Sequence, residues 1–155
     1  MTVEDKTTSG VSGDTPSPVP CANNTILIVD DDASVRLCHQ TVLGHYFPDC
    51  SLDSASDGLK AVDLFAEGHH KIVLTDLHMP VMNGERAFER IMEVCSDRKW
   101  RKPCVLFCTG HAPSPAIRAT VGNNPAHGLL IKPVANRTLI QAVKQRLNGL
   151  TPDNG

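Results

Sequence analysis

Along the middle of the chain, short wholly apolar runs alternate with longer stretches whose apolar positions recur every three or four residues. Thr25-Ile-Leu-Ile-Val29 is apolar and β-branched with no polar alternate, as expected for a strand covered on both faces. Lys71–Thr75 and Cys104–Cys108 repeat that pattern, Cys50–Ser54 is a weaker version, and Gly128–Ile131 is the last. Between them the helical period predicts Ser34 to Gly44 with Val35, Cys38 and Val42 on one stripe. A second helix follows the turn Asp57-Gly58 and carries Leu59, Val62 and Phe65. A third runs from Gly84 to Cys95 with Ala87, Phe88, Ile91, Met92 and Cys95 inward. Residues 113–121 predict a short helix, hemmed by prolines and by Gly122-Asn-Asn-Pro125, and Ala135–Leu147 closes the series with Leu139, Ile140, Val143 and Leu147.

Five strands alternating with five helices imply an α/β fold, a doubly wound parallel sheet with helices on both faces, because parallel neighbours require crossovers. Outside this block, residues 1–24 are rich in Ser, Thr, Gly and Pro and hold almost no large apolar side chain, so they read as a disordered tail. Residues 149–155 read as a second, shorter one. The expected domain is therefore 25–148, the right size for one core in a 155-residue chain.

Composition narrows the function by exclusion. A net charge of −2 and a pI near 6.4 lack the basic footprint of a nucleic-acid binder. No apolar run approaches the ~20 residues that cross a bilayer, and the acidic start Met1-Thr-Val-Glu-Asp-Lys6 has no apolar segment of a secretory signal, so cytoplasm is expected. Six cysteines without a secretory context read as free thiols. Cys104 and Cys108 fall on one face of a buried strand, which favours packing over metal ligation with His111.

In a parallel sheet, ligands sit beyond the carboxyl ends of the strands. There the first strand delivers Asp30-Asp31-Asp32, the third Asp76, the fourth Thr109 and the fifth Lys132-Pro133. Carboxylates gathered at one place repel unless a cation lies among them. An oxygen-only set with room for water suits Mg²⁺. An aspartate is a competent nucleophile toward phosphorus, and a lysine, a hydroxyl and a metal together can carry the charge of a phosphoryl group.

Four motifs stand in order at these strand ends: Ile28-Val-Asp-Asp31, Leu74-Thr-Asp-Leu-His-Met-Pro-Val-Met-Asn-Gly84, Phe107-Cys-Thr-Gly110 and Ile131-Lys-Pro133. In these the chain resembles the receiver domain of two-component response regulators over roughly residues 25–148. The resemblance implies a flavodoxin-like sheet of order 2-1-3-4-5. It makes Asp76 the phosphoacceptor, Thr109 and Lys132 its catalytic partners, and Asp30, Asp31, Asp76 and the backbone carbonyl of His78 the Mg²⁺ ligands. It implies a histidine kinase or histidine phosphotransfer protein as phosphodonor, contacting the first helix near Ala33, Ser34 and Leu37 and the loop after Lys132. It also implies a cis Lys132–Pro133 peptide. On this reading the chain is a single-domain switch, catalysing only its own phosphorylation and dephosphorylation, with a downstream protein target of unknown identity and no direct contact to nucleic acid or membrane. The alternatives are a receiver fragment of a hybrid histidine kinase, a haloacid-dehalogenase-like phosphatase using an Asp nucleophile, or a receiver that binds without being phosphorylated.

The sequence departs from the family's pattern in several places. Leu129 stands where an inward-turning aromatic is common, and Gly110 replaces the commoner alanine after Thr109. His78 and His111 occupy positions that in the family tune phosphoryl lifetime. Asp32 reads as the N-cap of the first helix rather than a metal ligand. Gly84 is expected at a positive φ, His69-His70 as a solvated pair, and Cys38 and Cys95 as packing residues. Asp97-Arg-Lys-Trp-Arg-Lys102 reads as a solvated loop or a partner contact.

Overall fold

The structure, a computed structural model, describes residues 24–149. The tails expected at 1–24 and 149–155 lie outside these residues except for Asn24 and Gly149. The described chain alternates strictly: β1 (Thr25–Val29), α1 (Ala33–Tyr46), β2 (Ser51–Ala55), α2 (Gly58–Gly68), β3 (Ile72–Asp76), α3 (Gly84–Arg98), β4 (Cys104–Thr109), α4 (Pro115–Asn123), β5 (Gly128–Ile131) and α5 (Asn136–Leu147). The strands form one parallel sheet in the order β2-β1-β3-β4-β5. The expected fold class and strand order are both present.

Strand residues of alternate parity feed two cores. Leu27, Val29, Val73, Val105 and Phe107 face α2, α3 and α4, where Phe65, Ile91, Cys95 and Ile117 cover them. Ile26, Ile28, Ile72, Leu74, Leu106 and the pair Cys104/Cys108 face α1 and α5, against Leu43, Leu139 and Val143. Both faces of the central strands are thus dry, which is why those strands carry continuous apolar runs. Each large side chain so buried contributes roughly 1.5–3 kcal/mol. The helices start where short polar side chains accept N–H groups: Asp32 for α1, Asp57 for α2, Asn83 for α3 and Ser114 for α4, the last followed by Pro115.

Four local expectations fail. On α1 the buried residues are His39 and Leu43, so the stripe is rotated and Cys38 is exposed, whereas Cys95 on α3 is buried as expected. On α2 Leu59 faces outward, and Ala61, Val62 and Phe65 carry the packing. Gly84 does not have a positive φ; the left-handed residue of that loop is Val81, at φ 68°. His69 and His70 are buried rather than solvated. His69, at φ 45°, ends α2, stacks on Trp100 with ring centroids 4.1 Å apart and donates from Nε2 to the Arg101 carbonyl at 2.8 Å. His70 joins its Nε2 to Asp53 Oδ2 at 2.8 Å. Trp100 therefore closes the base of the domain, with the Arg98 guanidinium 4.7 Å from its ring centre, and the run 97–102 is only partly a solvated loop.

Candidate functional site at the carboxyl edge of the sheet

β1, β3, β4 and β5 end side by side, so the polar residues that terminate them meet at one edge. Asp30 lies just past β1, is 2% exposed, and accepts the Asp32 N–H on Oδ1 at 2.9 Å. Arg36, one turn into α1, donates to the Asp30 carbonyl at 2.7 Å and ties the strand end to the helix. Asp76 is the last residue of β3, 7% exposed, with Oδ1 accepting the His78 N–H at 3.2 Å. Lys132 leaves β5 and spans both acids: its Nζ donates to Asp30 Oδ2 at 2.8 Å and to Asp76 Oδ2 at 3.1 Å. Burial works against the Lys132 ammonium, but the bonds to Asp30 and Asp76 outweigh it and hold its pKa above the usual lysine value. Asp31 is exposed, and one carboxylate oxygen from each of Asp30, Asp31 and Asp76 lies within 4.8 Å of the others.

Close backbone approach fixes the loop after Asp76. A Cβ on Gly84 would stand 2.1 Å from the Asp76 carbonyl oxygen, and one on Gly58 would stand 2.3 Å from the Met82 carbonyl oxygen. Gly84 is required for contact rather than for a positive φ. The Lys132–Pro133 peptide is cis as expected, and the Lys132 N–H donates to the Thr109 carbonyl at 2.9 Å, holding β5 beside β4.

Thr109 ends β4, fully buried, but its hydroxyl is turned into its own loop. Oγ1 donates to the His111 carbonyl and accepts the His111 N–H, both at 3.1 Å. Of the residues singled out from sequence, Asp30, Asp31, Asp76 and Lys132 converge, while the Thr109 hydroxyl reaches the edge without facing Asp76. Asp32 caps α1, accepting the Ser34 N–H at 2.9 Å, and is not among the clustered carboxylates. His78 and His111 meet edge to face, with ring centroids 4.8 Å apart. Two partners escaped the sequence reading: Arg36, and the Ser114–Glu85 bond at 3.0 Å that ties α4 to α3. Neither has a local signature, since both depend on contacts made only after folding.

The set is oxygen-rich, anionic and open on the Asp31 side, with one ammonium already placed between two of the acids. Such a site fits a hard divalent cation and a phosphoryl group, and among the described residues the clustered donors are carboxylates alone. A family model described as the response regulator receiver domain matches residues 26–144. The chain belongs to that family.

Among curated relatives of this receiver domain, the positive alginate biosynthesis regulatory protein of Pseudomonas aeruginosa is 32% identical over 121 residues, 77% of this chain and 46% of that protein. Response regulator MprA of Mycolicibacterium vanbaalenii is 30% identical over 131 residues, 84% of this chain and 53% of that protein. The chain spans about half the length, or less, of the curated relatives it matches. Among solved structures, the chemotaxis protein CheY4 of Vibrio cholerae is 25% identical, with a TM-score of 0.63 over 78% of this chain and 96% of that one. Phosphoryl acceptance is the general function of receiver domains, and response regulators interact with histidine kinases and downstream targets. The reading as a haloacid-dehalogenase-like phosphatase falls with this membership. Among the described residues no helix is long and apolar enough to cross a membrane.

Proposed function

We propose that this receiver takes a phosphoryl group onto Asp76 from a phosphohistidine of a histidine kinase or phosphotransfer protein, and that the acyl phosphate switches its protein contacts. The observation that carries the proposal is Lys132 bridging Asp30 and Asp76, since it places an ammonium where phosphoryl charge would develop. In the transfer an Asp76 carboxylate oxygen bonds to phosphorus as the P–N bond to the donor imidazole breaks, and the imidazole departs with its electron pair. Lys132 Nζ then exchanges its bond to Asp76 for one to a phosphoryl oxygen. The Thr109 hydroxyl leaves the His111 backbone to donate to another, a small rotation at the end of a strand.

Asp30, Asp31 and Asp76, with the His78 carbonyl as a further ligand, would hold Mg²⁺, and the three clustered carboxylates fit that ion. When bound, Mg²⁺ neutralises charge on the phosphoryl oxygens. Arg36 and the Asp32 N–H act earlier, fixing the orientation of Asp30. With Leu129 half-buried on β5 in place of an aromatic, the rearrangement passes through the β4–α4 loop and its Ser114–Glu85 tie rather than through a rotating ring. Output then runs by protein contact or onward phosphoryl transfer in the cytoplasm. The length of the polypeptide in its native cell tests the single-domain part of this reading, because a longer chain with kinase modules would make it a hybrid-kinase receiver.

Beryllofluoride, a mimic of the acyl phosphate, tests the switch. With Mg²⁺ it is expected to bind stoichiometrically and to shift the amide resonances of Thr109 and Lys132. Binding that is unchanged without Mg²⁺, or in Asp76→Asn, would overturn the proposal.

A further inference from the structure

At the amino edge of the sheet, away from Asp76, the chain entering β1 meets the ends of α1 and α5 around an open groove of about 300 Å³. Asn24, Tyr46, Phe47, Pro48, Lys144 and Leu147 lie in its lining. Phe47 and Leu147 pack inward on the core beneath α1 and α5, whereas Tyr46 is 57% exposed. Aromatic and apolar surface is thus left open to water beside the point where the described chain begins. That point is pinned. The Asn24 carbonyl accepts the Ser51 N–H at 3.3 Å, and Lys71 Nζ donates to Asn24 Oδ1 and to the Leu147 carbonyl, both at 3.5 Å. The residues before Asn24 therefore set out from the groove itself.

Residues 15–20 read Thr-Pro-Ser-Pro-Val-Pro. Each is either a proline, whose ring locks φ, or the residue before one, which that proline pushes toward extended backbone. The stretch favours a polyproline II helix, and such segments dock on aromatic-lined grooves because little conformational freedom remains for them to lose. Pro20 is four residues from Asn24, so at most ~14 Å of chain separates it from the groove's own lining. We propose that Pro16–Pro20 of this same chain seats in the groove as a polyproline II segment, with Val19 and a flanking proline against the Tyr46 and Phe47 rings.

The tether selects this occupant. A short link holds the segment at an effective concentration in the ~millimolar range, so a weak contact is enough within one chain and a second copy competes poorly. Residues 150–155 also set out from beside the groove, just past Asn148, but they carry one proline, Pro152, and lack the preset backbone. Once seated, the segment bridges the ends of α1 and α5 and covers the exposed face of Tyr46. The contact uses no residue of the phosphoryl site, so it stands or falls separately from the phosphoacceptor reading.

Nuclear Overhauser contacts in the full chain, labelled with ¹³C and ¹⁵N, test the seat. The comparison is a full-length variant combining Pro16→Ser, Pro18→Ser and Pro20→Ser, which leaves every residue of the two cores in place. Contacts from the Val19 methyl groups to the Tyr46 or Phe47 ring are expected in the native sequence. They should be lost in the variant, with a shift of the Tyr46 ring resonances. A mixture of labelled and unlabelled chains separates contacts within one chain from contacts between copies. Absence of the Val19 contacts from the native sequence would overturn the inference, as would their appearance only between copies or their replacement by contacts from Leu150 or Pro152. Contacts that survive the three substitutions would overturn it too, because the prolines would then not be what seats the segment.

Discussion

Gly84, at the start of α3, stands so close to Asp76 that a Cβ on it would lie 2.1 Å from the Asp76 carbonyl oxygen. The contact is backbone to backbone, and the Gly84 N–H also donates to the Leu77 carbonyl at 3.0 Å. No side-chain rotation relieves it, so Gly84→Ala must move the β3–α3 loop. The expected cost is about 2–3 kcal/mol, read by urea unfolding, together with weaker beryllofluoride binding. A variant with unchanged stability would show that the loop yields freely.

Lys132 holds two nearly buried carboxylates together. In Lys132→Ala they face each other without a cation. Because the lysine itself is partly exposed, the loss is expected at the low end for a broken pair, about 1–3 kcal/mol at neutral pH without Mg²⁺. Mg²⁺ should shrink the deficit by supplying the missing charge. Chemical denaturation at neutral pH, with and without Mg²⁺, reads the effect.

His127 is buried where β5 begins, and its Nδ1 accepts the Val105 N–H at 3.0 Å, a bond only the unprotonated nitrogen can make. Burial, then Arg146 and Lys102, lower its pKa from 6.5 to about 4. In this window the unfolded chain binds a proton that the folded chain refuses, so stability falls as pH drops from 6.5 to about 4. The loss on reaching pH 4 is on the order of 2–3 kcal/mol from this group. His127→Asn keeps an acceptor near the Val105 N–H and does not titrate. It should flatten that part of the stability profile, and an unchanged slope would remove His127 as its cause.

The Thr109 hydroxyl bonds to its own loop before any phosphoryl group arrives. Thr109→Val keeps the shape and removes both bonds. It is expected to leave Mg²⁺ affinity within about twofold while lowering the phosphorylation rate by roughly tenfold or more, as for one lost charge-stabilising donor. Equal losses in Mg²⁺ affinity and rate would point to simple disorder of the β4–α4 loop.

How far the sequence reached follows from the range of each interaction. Central strands dry on both faces must be apolar throughout, so Thr25–Val29 and Cys104–Thr109 were legible, and with them the acids that end the strands. The phase of α1 was not, because the stripe through Val35, Cys38 and Val42 looks more apolar than the one His39 and Leu43 bury. His69 and His70 looked like a polar helix end. Their burial is made by Trp100 and Asp53, partners 31 and 17 positions away, whose approach no local pattern announces. The orientation of the Thr109 hydroxyl is likewise a choice between acceptors, which residue identity does not settle.

Mapping the phosphoryl group after incubation with acetyl phosphate reaches the central claim most directly. A single Mg²⁺-dependent acyl phosphate on Asp76 is expected, lost in Asp76→Asn and kept in Asp32→Asn. Phosphate found on any other residue, or labelling that survives Asp76→Asn, would contradict it.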